Sequence, residues 1–253
     1  MAWASGKHAL ITGGGTGIGA AAARALAREG ARVTLLGRRG DLLESVANEI
    51  CGLALPCDVT DRVVLEQSFA AARAQHGPLD LVILNAGIGD SAPFLRTPRE
   101  TWNAIIATNL TALFDGAQLA LPDLLEGEDK RLVIVASVAG LRGGAYAAPY
   151  VASKHGAVGL TKSLALEYTK TRLTVNAVCP AFVDTPMVDD SAARIARVTK
   201  RSAEEARASL AALNANGRLV TADEVAHAIL YLCHPDARSV TGACVTVDGG
   251  TTA

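Results

Sequence analysis

Thr12-Gly13-Gly14-Gly15-Thr16-Gly17-Ile18-Gly19 follows the apolar run His8 to Ile11 and opens into Ala20 to Arg28, a segment built almost wholly of Ala, Leu and Arg. The order is strand, glycine turn, helix. Glycines let a backbone turn tightly and approach a pyrophosphate, while the start of a helix offers unpaired N–H groups and the positive end of its dipole. A plain tight turn also uses glycine, but a strand before it and a helix after it are the context that dinucleotide binding requires. The stretch therefore predicts a βαβ fold with a nucleotide at the end of its first strand.

Outward from this turn, short apolar runs alternate with amphipathic Ala-rich segments, the pattern of repeated βα units whose parallel sheet is covered on both faces. Candidate strands are His8 to Ile11, Arg32 to Leu36, Leu53 to Leu55, Leu79 to Leu84, Leu132 to Ala136, Leu173 to Val178 and Ala243 to Val247. The expected fold class is α/β: one Rossmann-type doubly wound domain over residues 1–253, with a seven-stranded parallel sheet flanked by helices. Capping boxes predict helix starts at Thr97-Pro98-Arg99-Glu100, Ser202-Ala203-Glu204-Glu205 and Thr221-Ala222-Asp223-Glu224. The charged run Glu126 to Arg131 reads as a solvated loop before the fifth strand.

The end of the second strand bears on which dinucleotide is bound. An acid about 20 residues past the glycines would hold the ribose of NAD, but the chain reads Leu35-Leu36-Gly37-Arg38-Arg39. Arg38, with Arg39, suits a 2'-phosphate, since a guanidinium fork matches it. NADP is expected, with NAD as the alternative. Asp58, after the third strand, and Asn85-Ala86-Gly87, after the fourth, fall at carboxyl ends of strands. They line the adenine side of the cleft or serve as turn residues.

Bulk composition removes several function classes. The chain has 253 residues, 50% hydrophobic and 19% charged, with a formal net charge of -1. It has material for one large core and no global basic field, so neither nucleic acid nor membrane is an expected partner. The five cysteines, Cys51, Cys57, Cys179, Cys233 and Cys244, are scattered without CxxC spacing. They suggest neither a disulfide framework nor a metal site, and a reducing, cytoplasmic setting is expected. No signal peptide or membrane-spanning segment is read from the apolar runs.

Tyr150 and Lys154 stand four apart near the start of a segment rich in Ala, Leu and Lys, with no proline until Pro180. On a helix they share one face. An ammonium beside a phenol favours the phenolate, and lowering a phenol by roughly three units from ~10 takes about 4 kcal/mol. One lysine supplies that only if partly desolvated or helped by a second positive charge. The same spacing also describes a packed phenol beside a surface lysine.

From Thr185 to Gly217 the chain inserts a long segment with only partial helical patterning, containing Met187, Asp189, Asp190 and the cations Arg194, Arg197, Lys200 and Arg201. Ligands of open α/β sheets lie beyond the carboxyl ends of strands. Residues 185–217 read either as a substrate-covering lid or as a surface helical hairpin.

Taken together, these residues resemble the short-chain dehydrogenase/reductase family over essentially the whole chain. The resemblance rests on TGxxxGxG at Thr12, Gly13, Gly17 and Gly19, on Asn85 to Gly87, Asn109 and Ser137, and on YxxxK at Tyr150 and Lys154. It implies hydride transfer between a nicotinamide and a carbonyl or alcohol, with Asn109, Ser137, Tyr150 and Lys154 as the catalytic set. Tyr150 would be the general acid/base and Ser137 would polarise the substrate oxygen. Lys154 would bind the nicotinamide ribose and, with the oxidised ring, lower the tyrosine pKa. Asn109 would help hold a water linking the lysine to solvent. The implied cofactor contacts are Gly13, Thr16, Gly17, Ile18, Gly19, Arg38, Arg39, Asp58, Val59, Asn85, Ala86, Gly87, Tyr150, Lys154, Pro180, Val183 and Thr185. Ala181 stands where the family has a glycine, which puts the local backbone path in question. The family pattern also implies a homotetramer or homodimer.

Substrate choice falls to Asp90, Phe94, Leu141, Arg142, Tyr146, Met187 and Val188, a mixed set suited to a moderately apolar ketone. The cations from Arg194 to Arg201 suit the phosphates of an acyl thioester on CoA or a carrier protein, so a 3-oxoacyl-thioester reductase is the first reading. A simple cyclic or aliphatic ketone or alcohol is the second. A silent dinucleotide-binding regulator would retain the glycine turn but lose Ser, Tyr or Lys. An extended-type sugar-nucleotide epimerase or dehydratase would run longer and space its glycines differently.

Overall fold

The computed structural model describes residues 2–253. Seven strands form one parallel sheet in the order β3-β2-β1-β4-β5-β6-β7. They are β1 (His8–Thr12), β2 (Arg32–Gly37), β3 (Leu53–Pro56), β4 (Leu81–Leu84), β5 (Lys130–Val135), β6 (Leu173–Pro180) and β7 (Cys244–Val247). The helices are α1 (Gly17–Arg28), α2 (Gly40–Ile50), α3 (Arg62–His76), α4 (Arg99–Ile106), α5 (Ala112–Leu124), α6 (Ala148–Glu167), α7 (Pro186–Thr199), α8 (Ala203–Ala211) and α9 (Ala222–Cys233). Strand order reverses direction between β1 and β4, and a crevice opens there at the carboxyl ends of the strands.

Alternate residues of each strand feed two apolar layers. Ala9, Ile11, Leu35, Ile83 and Val133 pack on one face with α1, α2 and α9, while Leu10, Leu36, Val82 and Ile134 pack on the other with α3, α5 and α6. This two-sided cover explains why β1, β5 and β6 are buried along their whole length. The doubly wound α/β expectation holds.

Local readings differ in instructive places. Lys130 and Arg131 are not in a solvated loop: both lie in β5, only 7% and 1% exposed. The Lys130 ammonium donates to Asp80 Oδ1 at 2.8 Å and to the Leu79 carbonyl at 3.0 Å. Asp80 also accepts from the His8 amide at 2.7 Å, so Leu79 and Asp80 form a polar bracket below the sheet and β4 starts at Leu81. The Arg131 guanidinium donates to the Lys130 carbonyl at 2.9 Å and pairs with Asp129 at 3.2 Å. Capping boxes close as predicted at Ser202 and Thr221. At the third, Pro98 is itself the N-cap of α4, with no side-chain cap. A π-helical turn, Ala107–Thr111, joins α4 to α5. The resulting rod, Arg99–Leu124, is long and apolar enough to cross a membrane. Here it is a core element, with Ala112, Leu113 and Ala117 buried and Asp115 and Asp123 paired to Arg62 and Arg73.

Candidate active site

Thr16 is the N-cap of α1 but gives no side-chain cap, and no acid stands in the first turn. The first N–H groups of the helix are left for an anion. Two glycines keep that end open. A Cβ on Gly19 would fall 2.2 Å from the Gly13 carbonyl oxygen, and one on Gly17, whose φ is +52°, would fall 2.8 Å from Thr185 Cγ2. The turn is braced from β4, where Asn85 Nδ2 donates to the carbonyls of Thr12 and Gly13 at 2.9 and 3.2 Å. Thr12 Oγ1 accepts from the amides of Asn85 and Ala86 at 2.9 and 3.0 Å. Thr12 carries this brace, a role beyond its place in the motif. These residues fit a dinucleotide: an open backbone cradle at a helix start, with cations beside it.

Arg38 and Arg39 are both exposed at the end of β2. Arg39 reaches the glycine turn, donating to Thr16 Oγ1 at 3.1 Å. Arg38 lies toward Asp58 and helps keep its carboxyl below the ordinary carboxylate range, although the main cause is hydrogen bonding from Thr60. Asp58 is thus a turn residue as well as a cleft-edge one, and Val59 beside it is buried. Ile18 and Gly87 are half-buried at the same crevice.

The catalytic candidates converge from three elements. Ser137 follows β5, and Tyr150 and Lys154 lie in the first two turns of α6, which Pro149 helps to start. Ser137 Oγ donates to the Pro180 carbonyl at 3.3 Å and accepts from the Ala139 amide at 3.1 Å. Lys154, only 4% exposed, donates to the Val135 carbonyl at 2.8 Å, and its Nζ lies 5.7 Å from the Tyr150 ring centroid. Burial lowers the Lys154 pKa from 10.5 to about 8. Burial also pushes the Tyr150 phenol above its ordinary value, while the adjacent Ser137 side chain pulls the other way. No lowering by Lys154 offsets the effect of burial on the phenol. The lysine is itself desolvated and spends a hydrogen bond on the main chain.

Asn109 lies in the π turn and is fully buried. Its Oδ1 accepts from the Ile88 amide at 2.8 Å, and its Nδ2 donates to the Ile88 carbonyl at 2.8 Å and to Ser153 Oγ at 3.2 Å. Its side-chain amide is committed to the main chain of Ile88 and to Ser153, which is compatible with the water-holding role that the resemblance implies. It clamps the loop after β4 to α6. Ser153, which also donates to the Tyr150 carbonyl at 2.7 Å, had no sequence signal beyond its place between Tyr150 and Lys154.

From the last residue of β6 the chain runs Pro180, Ala181, Phe182, Val183, Asp184, Thr185. Ala181 is not among the positive-φ residues, so alanine is accepted where a glycine was anticipated. Val183 bridges to Val220, and Thr185 Oγ1 donates to the Val183 carbonyl at 3.2 Å. Asn214, 1% exposed, holds this strap: its Oδ1 accepts from the Phe182 amide at 3.0 Å, and its Nδ2 donates to the Phe182 and Arg218 carbonyls at 2.9 and 2.7 Å. Sequence reading missed Asn214, whose partner Phe182 is 32 residues away and visible only when folded.

The segment 185–217 is more regular than its sequence suggested, comprising α7 and α8. The four cations do not form one face. Arg194 pairs with Asp90, while Arg197, Lys200 and Arg201 are exposed at the far end of α7. Of the substrate-choosing candidates, Val188 is buried within the α7–α8 pair, whereas Met187 approaches Gly89 beside Tyr150. Phe94 and Tyr146 are exposed on the rim, and the Ala92 amide donates to the Tyr146 carbonyl at 2.8 Å, joining the two rim loops. Leu141 and Arg142 are exposed nearby in sequence.

Comparison with known proteins extends over almost all of the chain. Residues 13–252 match the family model described as enoyl-(acyl carrier protein) reductase. D-beta-hydroxybutyrate dehydrogenase of Rhizobium meliloti is 36% identical, with 98% of this chain and 99% of that protein covered. The 3-oxoacyl-(acyl-carrier-protein) reductase of Thermotoga maritima is 34% identical, with 97% of each covered. Among solved structures, an actinorhodin polyketide ketoreductase variant with NADPH is 37% identical, superposes with a TM-score of 0.93 and is covered over 97% of each chain.

Proposed function

Since the chain belongs to the short-chain dehydrogenase/reductase family, and is an NAD(P)-dependent oxidoreductase acting between a carbonyl and a secondary alcohol, we propose that its substrate is a 3-oxoacyl thioester and its cofactor NADP. The observation that carries the reading is the convergence of Ser137, Tyr150 and Lys154 on one crevice with the open helix start at Gly17. The resemblance to an acyl-carrier-protein reductase and the cations at the end of α7 support the thioester. Arg39 beside Thr16, and Arg38 exposed at the end of β2, support NADP over NAD. The match to a hydroxybutyrate dehydrogenase keeps a small 3-oxo or 3-hydroxy acid as the second reading.

In this assignment Gly13, Thr16, Gly17, Ile18, Gly19, Arg38, Arg39, Asp58, Val59 and Asn85 to Gly87 hold the adenosine and pyrophosphate side. Pro180, Val183, Thr185 and Lys154 hold the nicotinamide side. When bound, the nicotinamide exchanges a hydride with the carbonyl or carbinol carbon. Ser137 offers its hydroxyl to the reacting oxygen, and the Tyr150 hydroxyl gives that oxygen a proton in reduction and takes one back in oxidation. The Lys154 charge favours the phenolate that remains. Asn109 acts as a positioning residue, fixing Ile88 and Ser153. Helices α7 and α8 cover the substrate, and residues 1–253 form one functional unit.

A cytoplasmic setting fits the five free thiols. A homotetramer or homodimer fits the exposed Phe114 on α5 and Leu166 on α6.

A screen of 3-oxoacyl thioesters, 3-oxo acids and simple ketones with NADPH and NADH, followed by nicotinamide absorbance, tests the proposal. Thioesters are expected to give the highest kcat/KM, and Tyr150→Phe should lose nearly all turnover on any substrate found. Full turnover by that variant would overturn the acid/base assignment.

A further inference from the structure

Helices α7 and α8 carry an apolar cluster of their own. Val188, Ala192, Ala206 and Leu210, with Phe182, Ile195, Ala196 and Leu219 against them, form a group separate from the two layers on the sheet. Arg207 of α8 pairs with Asp184 at 2.6 Å, where the chain leaves β6, and with Asp189 of α7. The two helices are thus packed and ion-paired as one body, attached at its β6 end.

The opposite side of that body meets the loop after β4 through Arg194. Its guanidinium pairs with Asp90 and donates to the Gly89 carbonyl at 3.4 Å. Asp90 is preset for this, because the same Oδ1 accepts the Ser91 amide at 2.7 Å. The contact lies at the chemistry: a Cβ on Gly89 would stand 3.9 Å from two Tyr150 ring carbons and 3.7 Å from Met187 Sδ. The side chains of Arg194 and Asp90 are 29% and 38% exposed, so the pair forms part of the cleft's outer wall and is open to screening by salt.

We propose that Arg194 and Asp90 form a crossbar over the entrance to Tyr150 and are specificity-determining residues. Closed, the bar holds Met187 over the phenol and confines small ketones. It must part for a substrate with an extended chain, since the arm of such a substrate would leave the cleft between α7 and the loop after β4. This inference rests on the functional reading above for its substrate half only. Its structural half concerns how α7 is held.

The test is a double-mutant cycle of Asp90→Ala, Arg194→Ala and the double variant, read in two ways. Hydrogen–deuterium exchange without substrate should be several-fold faster in residues 186–199 and 88–97 for each single variant, with no further increase in the double, the signature of a shared contact. Kinetically, each variant should raise KM for a small ketone several-fold and shift the kcat/KM ratio toward long-chain substrates, with NADPH affinity unchanged. Added salt should move the wild type toward the variants. Unchanged exchange in the single variants, or additive effects in the double, overturns the crossbar. A kcat/KM ratio that does not move overturns its role in selection. Failure of the wild type to reduce any carbonyl compound would defeat the functional reading and, with it, the substrate half, while exchange would still decide the crossbar.

Discussion

Thr185 rests its methyl 2.8 Å from the place where a Cβ on Gly17 would stand, so the strap leaving β6 lies directly on the first residue of α1. The two ends of the cofactor crevice are therefore mechanically joined. Gly17→Ala must displace Thr185 and also take a left-handed φ, which costs about 1 kcal/mol or more for a residue with a Cβ. Cofactor affinity measured by fluorescence titration is expected to fall at least tenfold, while the fold, monitored by circular dichroism, is retained.

Lys154 predicts a trade between stability and activity. Holding its folded-state pKa at about 8 instead of 10.5 costs roughly 3 kcal/mol while the lysine is charged. Lys154→Met should abolish turnover yet stabilise the cofactor-free protein by about 1 to 2 kcal/mol at pH 7, the balance being lost with the orphaned Val135 carbonyl. The sign with pH follows from the lowered pKa. Between about 8 and 10.5 the unfolded lysine holds a proton that the folded one has released, so its contribution to wild-type stability rises with pH across that window. Denaturant titrations of both proteins from pH 7 to 10 should show the advantage of Lys154→Met shrinking.

Arg39 and Arg38 make separable contributions to cofactor choice. Arg39 already reaches Thr16, so Arg39→Ala should weaken NADPH about tenfold and leave NADH nearly unchanged, about 1.4 kcal/mol of selective binding. Arg38→Ala should act in the same direction, and the double variant should approach equal use of both cofactors. Equal NADPH affinity in all four proteins, measured by titration, would remove the 2'-phosphate assignment.

Asn109→Ala would remove the side-chain partner of the half-buried amide and carbonyl of Ile88, each a loss of about 1 kcal/mol where water replaces the partner only in part. A fall in stability of about 1 to 3 kcal/mol is expected, with kcat reduced because Gly89, the residue after Ile88, sits beside Tyr150. Asn109→Asp should retain the acceptor to the Ile88 amide and recover part of the loss.

What the sequence determined by itself is the part governed by local periodicity and spacing. Seven apolar runs fixed the strands, the glycine turn fixed where β1 passes into α1, and the four-residue spacing put Tyr150 and Lys154 on one face of α6. Each of these depends on neighbours a few residues away. Burial and long-range pairing decided the rest. Arg131 is charged, and sequence put it in water, yet only the packed base of β5 reveals it as 1% exposed. Asp90 and Arg194 are 104 residues apart, and Asn214 and Phe182 are 32 apart, so no local pattern joins them. The same holds for the phenol: spacing placed a cation beside Tyr150, but desolvation of both groups, a property of the folded interior, raised the tyrosine pKa and lowered that of the lysine.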